Sequence, residues 1–289
     1  MALAVPATAR AQACCAGGIV LTPGRLQIHE SALVGLVARG TAITGSFDGR
    51  GSFVSPRGAV EGDFEQDLIA TLRVLGDGQL TVLMPIVETY RRESGTSDGG
   101  GGFGDLQVSA RWDPTYAGAS RRIPGIAVLA SVILPTGLPL EQATHPLSTD
   151  STGTGAVQGA LGLSLEQTFG KVLVNLTGSG TIHSARNAQG VHSLLGPSFY
   201  ALGAVGYSFD AGPVAALTLS YTRSLDTRID GAAVAASGLA QLRFGLSGGY
   251  SINDTWRVQA SAFGDPPAPH FGQNQLTGVG GTAAVFRVW

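Results

Sequence analysis

From about residue 31 onward the chain runs as short stretches in which every second residue is apolar, and the connections between them alternate between short and long. The clearest stretch spans residues 64–74. Phe64, Leu68, Ala70, Leu72 and Val74 share one face, and Glu65, Asp67, Thr71 and Arg73 share the other. Such a period of two is that of a β-strand, and no stretch of helical period competes with it. Reading the alternation along the chain predicts strands at residues 31–48, 64–74, 80–90, 103–112, 123–134, 156–169, 171–183, 197–209, 214–225, 239–250, 256–264 and 277–289. Connections after the second, sixth, eighth and tenth of these are tight, and the one after the fourth is modest. Those after the odd-numbered strands are long. A soluble sandwich has no reason to gather its long loops on one side, whereas an outer-membrane barrel does so by construction. The predicted fold is therefore all-β: a closed antiparallel up-and-down transmembrane β-barrel of about twelve strands, with short periplasmic turns and long extracellular loops. A soluble sandwich, or two small β-domains, is the competing fold.

The last strand and the composition point the same way. Residues 277–289 put Val279, Ala283, Val285 and Trp289 on one face, and Gly278, Gly280, Thr282, Ala284 and Phe286 on the other. An apolar edge of this kind is an aggregation hazard unless it pairs, and pairing with the first strand removes the edge. Terminal aromatic strands resemble those that barrel assembly machinery reads, which makes Phe286 and Trp289 the candidate closing-strand signal. Charged residues make up 13% of the chain, about half the usual share for a soluble domain. Mean hydropathy is +0.21, yet no run reaches the ~18 apolar residues of a membrane helix. Outer-membrane lipid is the implied partner. With a net charge of −2, nothing suggests nucleic acid. With both termini periplasmic, Trp112, Phe169, Tyr207, Phe209, Tyr250, Trp256, Phe286 and Trp289 fall near the inner rim. Phe64, Tyr90, Phe103, Phe199, Tyr200, Tyr221 and Phe263 fall near the outer rim. Two aromatic girdles are expected at the two headgroup levels. Pro85 lies inside the third predicted strand and implies a bulge or a missing ladder bond.

Before the strands, Ala11-Gln12-Ala13 fits the small-x-small pattern of a secretory cleavage site. Residues 1–13 are read as a signal-peptide remnant, residues 14–30 as an N-terminal periplasmic tail, and residues 31–289 as the barrel. Cys14 and Cys15 are adjacent and are the chain's two cysteines, which excludes a CxxC metal site or a disulfide framework. A free pair, a vicinal disulfide and lipid attachment at Cys14 all remain open.

If the alternation is that of a membrane barrel, its polar face lines the lumen. The candidates are Arg39, Glu65, Asp67, Arg73, Asp105, Gln107, Arg111, Glu166, Asn175, Gln241, Arg243, Arg257 and Gln259, with Thr177 among the neutral members. Charges at mid-depth on the lipid face cost ~2–4 kcal/mol each for Arg, so these belong inside. There they either border a water-filled path or fill the lumen. No catalytic, cofactor or metal site is expected. His29-Glu30-Ser31 has the spacing of the His-x-Ser pair of a barrel lipid hydrolase, but no Asn stands at a convincing distance. Asp98 and Asp150 lie in loops without calcium-loop spacing. The long loops are poor in aromatic anchors, so a surface-binding role ranks behind a passage.

Two stretches carry a family resemblance. Gly102-Phe103-Gly104-Asp105-Leu106, leading to Arg111-Trp112, and Leu134-Pro135-Thr136-Gly137, followed by Thr154-Gly155, resemble a bacterial family named for the meta-pathway of phenol degradation. The matched region covers residues 102–169. The resemblance implies an outer-membrane barrel that passes small, hydrophobic or aromatic solutes, with no enzymatic residues. On physical grounds alone, both motifs also read as strand-end punctuation.

Overall fold

A computed structural model of the chain describes residues 24–289 apart from Arg57, Arg121, Gln189 and Ala211. The signal-peptide remnant, Cys14 and Cys15 lie outside the described residues. Twelve long antiparallel strands form the wall. They are β1 (Ala32–Phe47), β2 (Val60–Val74), β3 (Gly78–Glu93), β4 (Leu106–Thr115), β5 (Gly125–Leu134) and β6 (Gln158–Phe169). The second half comprises β7 (Val172–His183), β8 (Ser198–Ser208), β9 (Val214–Ser224), β10 (Leu239–Ser251), β11 (Trp256–Gly264) and β12 (Gln275–Val288). Each pairs with its neighbour in sequence, and β1 pairs with β12 from Leu33↔Val288 to Phe47↔Gln275. The Ser31 amide and hydroxyl both donate to the Trp289 carbonyl, at 2.5 and 3.0 Å. The sheet is closed, and no wall strand is left with an open edge.

Alternation sets the two surfaces. Along β2, Phe64, Leu68, Leu72 and Val74 are exposed, while Asp67, Ile69 and Thr71 are buried. Along β6 and β7, Leu161, Leu163, Leu165 and Leu176 face outward, and Ser164, Glu166, Asn175 and Thr177 face inward and are buried. An outer surface this rich in exposed leucine and valine is untenable in water and required in lipid. Most of the expected rim aromatics are on it, including Trp112, Phe169, Tyr90 and Phe199.

Three of them are not. Phe286 pairs with Gly35 and Arg257 and is 2% exposed inside the barrel. Gly35 leaves the space that its ring fills, since a Cβ there would collide with it. Phe263 pairs with Gly245 and Gly280 on the inner face, and Tyr200 with Ser179 and Thr222. The girdle reading counted these three by height along the strand, but strand parity turns them into the lumen.

Connections at the two ends differ as expected. At one end are tight turns, such as residues 75–77, where Leu75 and Gly76 both take left-handed φ of +49° and +77°, the geometry of a primed hairpin turn. Long loops crowd the other end. Between β3 and β4, residues expected to form a plain polar loop instead include a strand, Thr96–Phe103, that pairs back on β3. Phe103 therefore belongs to this hairpin and not to β4. Pro85 produces no bulge between β2 and β3, whose register is continuous. The irregularity falls on its other side, where the neighbouring strand breaks at Gly104 and Asp105 and the Gly104 amide donates to the Pro85 carbonyl at 2.9 Å. Two further loops meet in a small sheet built from Arg186–Ala188, Val191–Leu194, Arg228–Ile229 and Ala232–Ala233.

Candidate functional site: the lumen and its closed end

The residues expected on the polar face fall into three groups by their place along the wall. The first closes the turn end. Residues 24–30, expected as part of a tail outside the barrel, enter it. Leu26 is 3% exposed and packs with Leu33, Val37, Ile69, Ala284, Phe286 and Val288. The Arg25 guanidinium donates to both Glu166 carboxylate oxygens, at 2.7 and 2.6 Å, and stands 3.6 Å from Asp113. Arg111 reaches the same two acids, at 3.0 Å to Glu166 and 2.7 Å to Asp113. Two guanidinium groups thus face two carboxylates, and all four residues are largely buried. Asn175 donates to Glu166 at 3.3 Å and to Ser164 at 2.9 Å. In a low-dielectric interior such a group holds only if every charge is matched and hydrogen-bonded, and here the charges balance.

The backbone of the entering segment is also held. The Leu26 amide donates to Gln79 Oε1 at 2.9 Å, and Arg257 donates to the Arg25 carbonyl at 3.0 Å. Arg73 donates to the Glu30 carbonyl at 2.7 Å and also to the Gln27 carbonyl. Arg257 stands 3.5 Å from the Glu30 carboxylate. All of these holds come from side chains of the wall. None adds a strand to it.

The second group lies near the outer rim. Gln241 and Arg243 donate to the Asp265 carboxylate at 3.0 and 2.8 Å, and Arg243 also sits over the Phe263 ring at 4.5 Å. Gln259, between Gly249 and Ala284 on the same inner face, lies two residues from Arg257, toward the turn end. The third group borders a cavity of about 280 Å³ lined by Arg39, Glu65, Asp67, Asp105 and Gln107 together with Leu83, Pro85, Val87 and Ile133. Arg39 and Glu65 form an ion pair there.

Sequence reading missed Arg25, Glu30, Gln79, Asp113 and Asp265. Asp113 was within reach, since it continues the Arg111 face two residues on. Gln79 and Asp265 were readable in the same way, each one residue outside a predicted strand and on its inward parity, whereas Arg25 and Glu30 lie in a segment with no period. The hydrolase spacing leads nowhere in the geometry: His29 is exposed, and the Ser31 hydroxyl is committed to the Trp289 carbonyl. Among the described residues no group of three His, Cys, Asp or Glu side chains is arranged to hold a metal.

The sequence matches the family described as "Putative MetA-pathway of phenol degradation" over residues 40–274. The chain belongs to this family. Among solved structures, the COG4313 outer membrane channel from Pseudomonas putida F1 superposes with a TM-score of 0.76 at 16% identity, over 92% of this chain and 97% of that one. The translocator domain of the autotransporter NalP from Neisseria meningitidis gives 0.50 at 12% identity, over 90% of this chain and 88% of that one. No curated protein matches the chain. The fold of this phenol-degradation family member is that of bacterial outer-membrane barrels, and the outer membrane is its location.

Its two sequence motifs are joined in space. Asp105 of the first accepts hydrogen bonds from the Gly137 amide of the second at 3.0 Å, and from the Thr154 amide and hydroxyl at 2.8 and 2.9 Å. Thr136 donates to the Gly104 carbonyl at 2.8 Å and accepts from the Leu106 amide at 2.9 Å. The motifs therefore clasp the longest loop, residues 135–157, onto the mouth of the barrel. Farther out, Asp150 accepts from the Thr144 amide and hydroxyl, both at 2.8 Å. Asp98 accepts from the Leu147 amide at 3.2 Å and the Thr149 hydroxyl at 2.9 Å, and lies 3.1 Å from His145. The Thr144 amide is the largest influence holding the Asp150 carboxyl down to about 2.

Proposed function

We propose that this barrel is a narrow conduit of the outer membrane for small solutes, closed at its periplasmic end by residues 24–30. The carrying observation is how that segment is attached. Its contacts are side-chain ion pairs, side-chain hydrogen bonds and one apolar cluster. Such contacts release without breaking any wall pairing. A path with water-accessible charged walls on one side of this closure fits a gated passage better than a filled strut. The superposable relative is itself named an outer membrane channel.

The solute we infer is small and at least partly apolar. Leu83, Pro85, Val87 and Ile133 give the lumen cavity a hydrocarbon wall, and the family's name refers to phenol degradation. A non-conducting structural barrel is the second reading, and the seating of Leu26 in its apolar cluster favours it.

Liposome swelling separates the two. With graded sugars and small aromatic compounds, the conduit reading predicts swelling above that of empty liposomes, with a sharp size limit. Replacing Arg73 by Ala removes its hydrogen bonds to the Glu30 and Gln27 carbonyls of the closure and should raise uptake. Swelling equal to empty liposomes for both proteins would leave the structural barrel standing.

A further inference from the structure

The lumen cavity contains a carboxylate that the protein itself does not satisfy. Of the three acids bordering it, Glu65 is paired with Arg39, and Asp105 accepts from the Gly137 and Thr154 amides. Asp67 differs. It is 7% exposed, and its Oδ1 is buried with no hydrogen-bond partner. Strand register explains why: its neighbours across the wall are Val37 on β1 and Pro85 on β3. One is a hydrocarbon, and the other is a residue without an N–H.

A buried carboxylate oxygen without a donor is costly, and the cost is removed by a cation that brings its own N–H groups. The cavity holds three carboxylates against the one guanidinium of Arg39, so its field also favours a positive guest. Beside Asp67 lie Leu83, Pro85 and Ile133, which offer apolar surface but no charge.

We propose that this cavity is a binding site for a small organic cation, with a primary ammonium on Asp67 Oδ1 and an apolar body against Leu83, Pro85 and Ile133. An ammonium carries three donors on one point charge, which suits a site with one buried, unpartnered acceptor oxygen and a second carboxylate, Glu65, two residues away on the same face. A phenol brings one donor and no charge, and a carboxylate guest would face like charge. The inference rests on the conduit reading for its role as a solute site, but binding is measurable without transport.

The test is calorimetric titration of the detergent-solubilised full chain with benzylammonium, benzyl alcohol and benzoate at fixed ionic strength. Benzylammonium should bind at least about tenfold more tightly than benzyl alcohol, the value of one charge-assisted hydrogen bond, and benzoate should not bind. Asp67→Asn should lower benzylammonium affinity about tenfold, and Asp67→Glu should restore most of it. Heat-dependent gel migration verifies that each variant is folded. The wild-type ligand series stands alone should a variant not fold. Equal binding of benzyl alcohol and benzylammonium, no binding of benzylammonium, or undiminished binding by a folded Asp67→Asn protein would each overturn the site. Such a result beside normal liposome swelling would leave the conduit intact. Benzylammonium binding by a protein that does not conduct would sink the conduit and keep the site.

Discussion

The two ends of this barrel are covered in physically different ways. At the periplasmic end the cover is a short segment bound by buried charge, in which Arg25 and Arg111 meet Glu166 and Asp113. At the outer end the cover is a long loop bound by carboxylates that accept backbone amides: Asp105 from Gly137 and Thr154, and Asp150 from Thr144. Buried charge is an all-or-none fastening, because removing one member strands the others in a poor dielectric. Amide clasps near solvent fail one at a time, because water replaces each lost acceptor. The inner cover, on the conduit reading, is released as a unit, whereas the outer one yields locally.

The largest effect should come from breaking the inner group. Glu166→Gln leaves Arg25 and Arg111 sharing Asp113 and should cost ~3–5 kcal/mol, read as a lower temperature of the heat-dependent gel shift. A smaller loss at the same end tests packing in place of charge. Gly35→Ala drives a methyl into the Phe286 ring and should cost ~1–3 kcal/mol by the same gel shift. Asp105→Asn weakens the outer clasp by ~1 kcal/mol. It should leave the gel shift unchanged while hastening protease cutting within residues 135–157. An effect on the barrel as large as that of Glu166→Gln would erase the contrast between the two ends.

The smallest effect is a pH response. With its carboxyl held near 2, below the ~3.9 of a free aspartate, Asp150 stabilises its loop at all pH above the unfolded value. That contribution fades as pH falls from about 4 and is lost below about 2. The Thr144 amide resonance should titrate in that window and stay flat from pH 5 to 8.

Much of this architecture is legible in the chain. A period of two, maintained from β1 to β12, can be satisfied only by a wall with a greasy and a wet side, so Glu65, Arg111 and Glu166 announce their facing. Segregated connection lengths give the two ends. What the alternation cannot convey is which inward residues meet. Arg25 and Glu166 are 141 positions apart, and the segment carrying Arg25 has no period at all, because it packs as an irregular strand of chain inside the cylinder. Phe286 was misplaced for the opposite reason. Its parity was readable, but aromatic preference for headgroup depth was given more weight. The Asp105 clasp reads as punctuation because its partners at Gly137 and Thr154 are brought back only by a loop whose course no local rule dictates.

Single-channel recording in planar bilayers tests the central claim, that residues 24–30 close the lumen through their buried charges. Arg25→Ala together with Glu30→Ala removes both charged anchors of the segment, on Glu166 and on Arg257, while leaving every wall residue in place. The account predicts a small wild-type conductance and a several-fold larger, steadier one in the double variant. Equal conductance in the two folded proteins would contradict it.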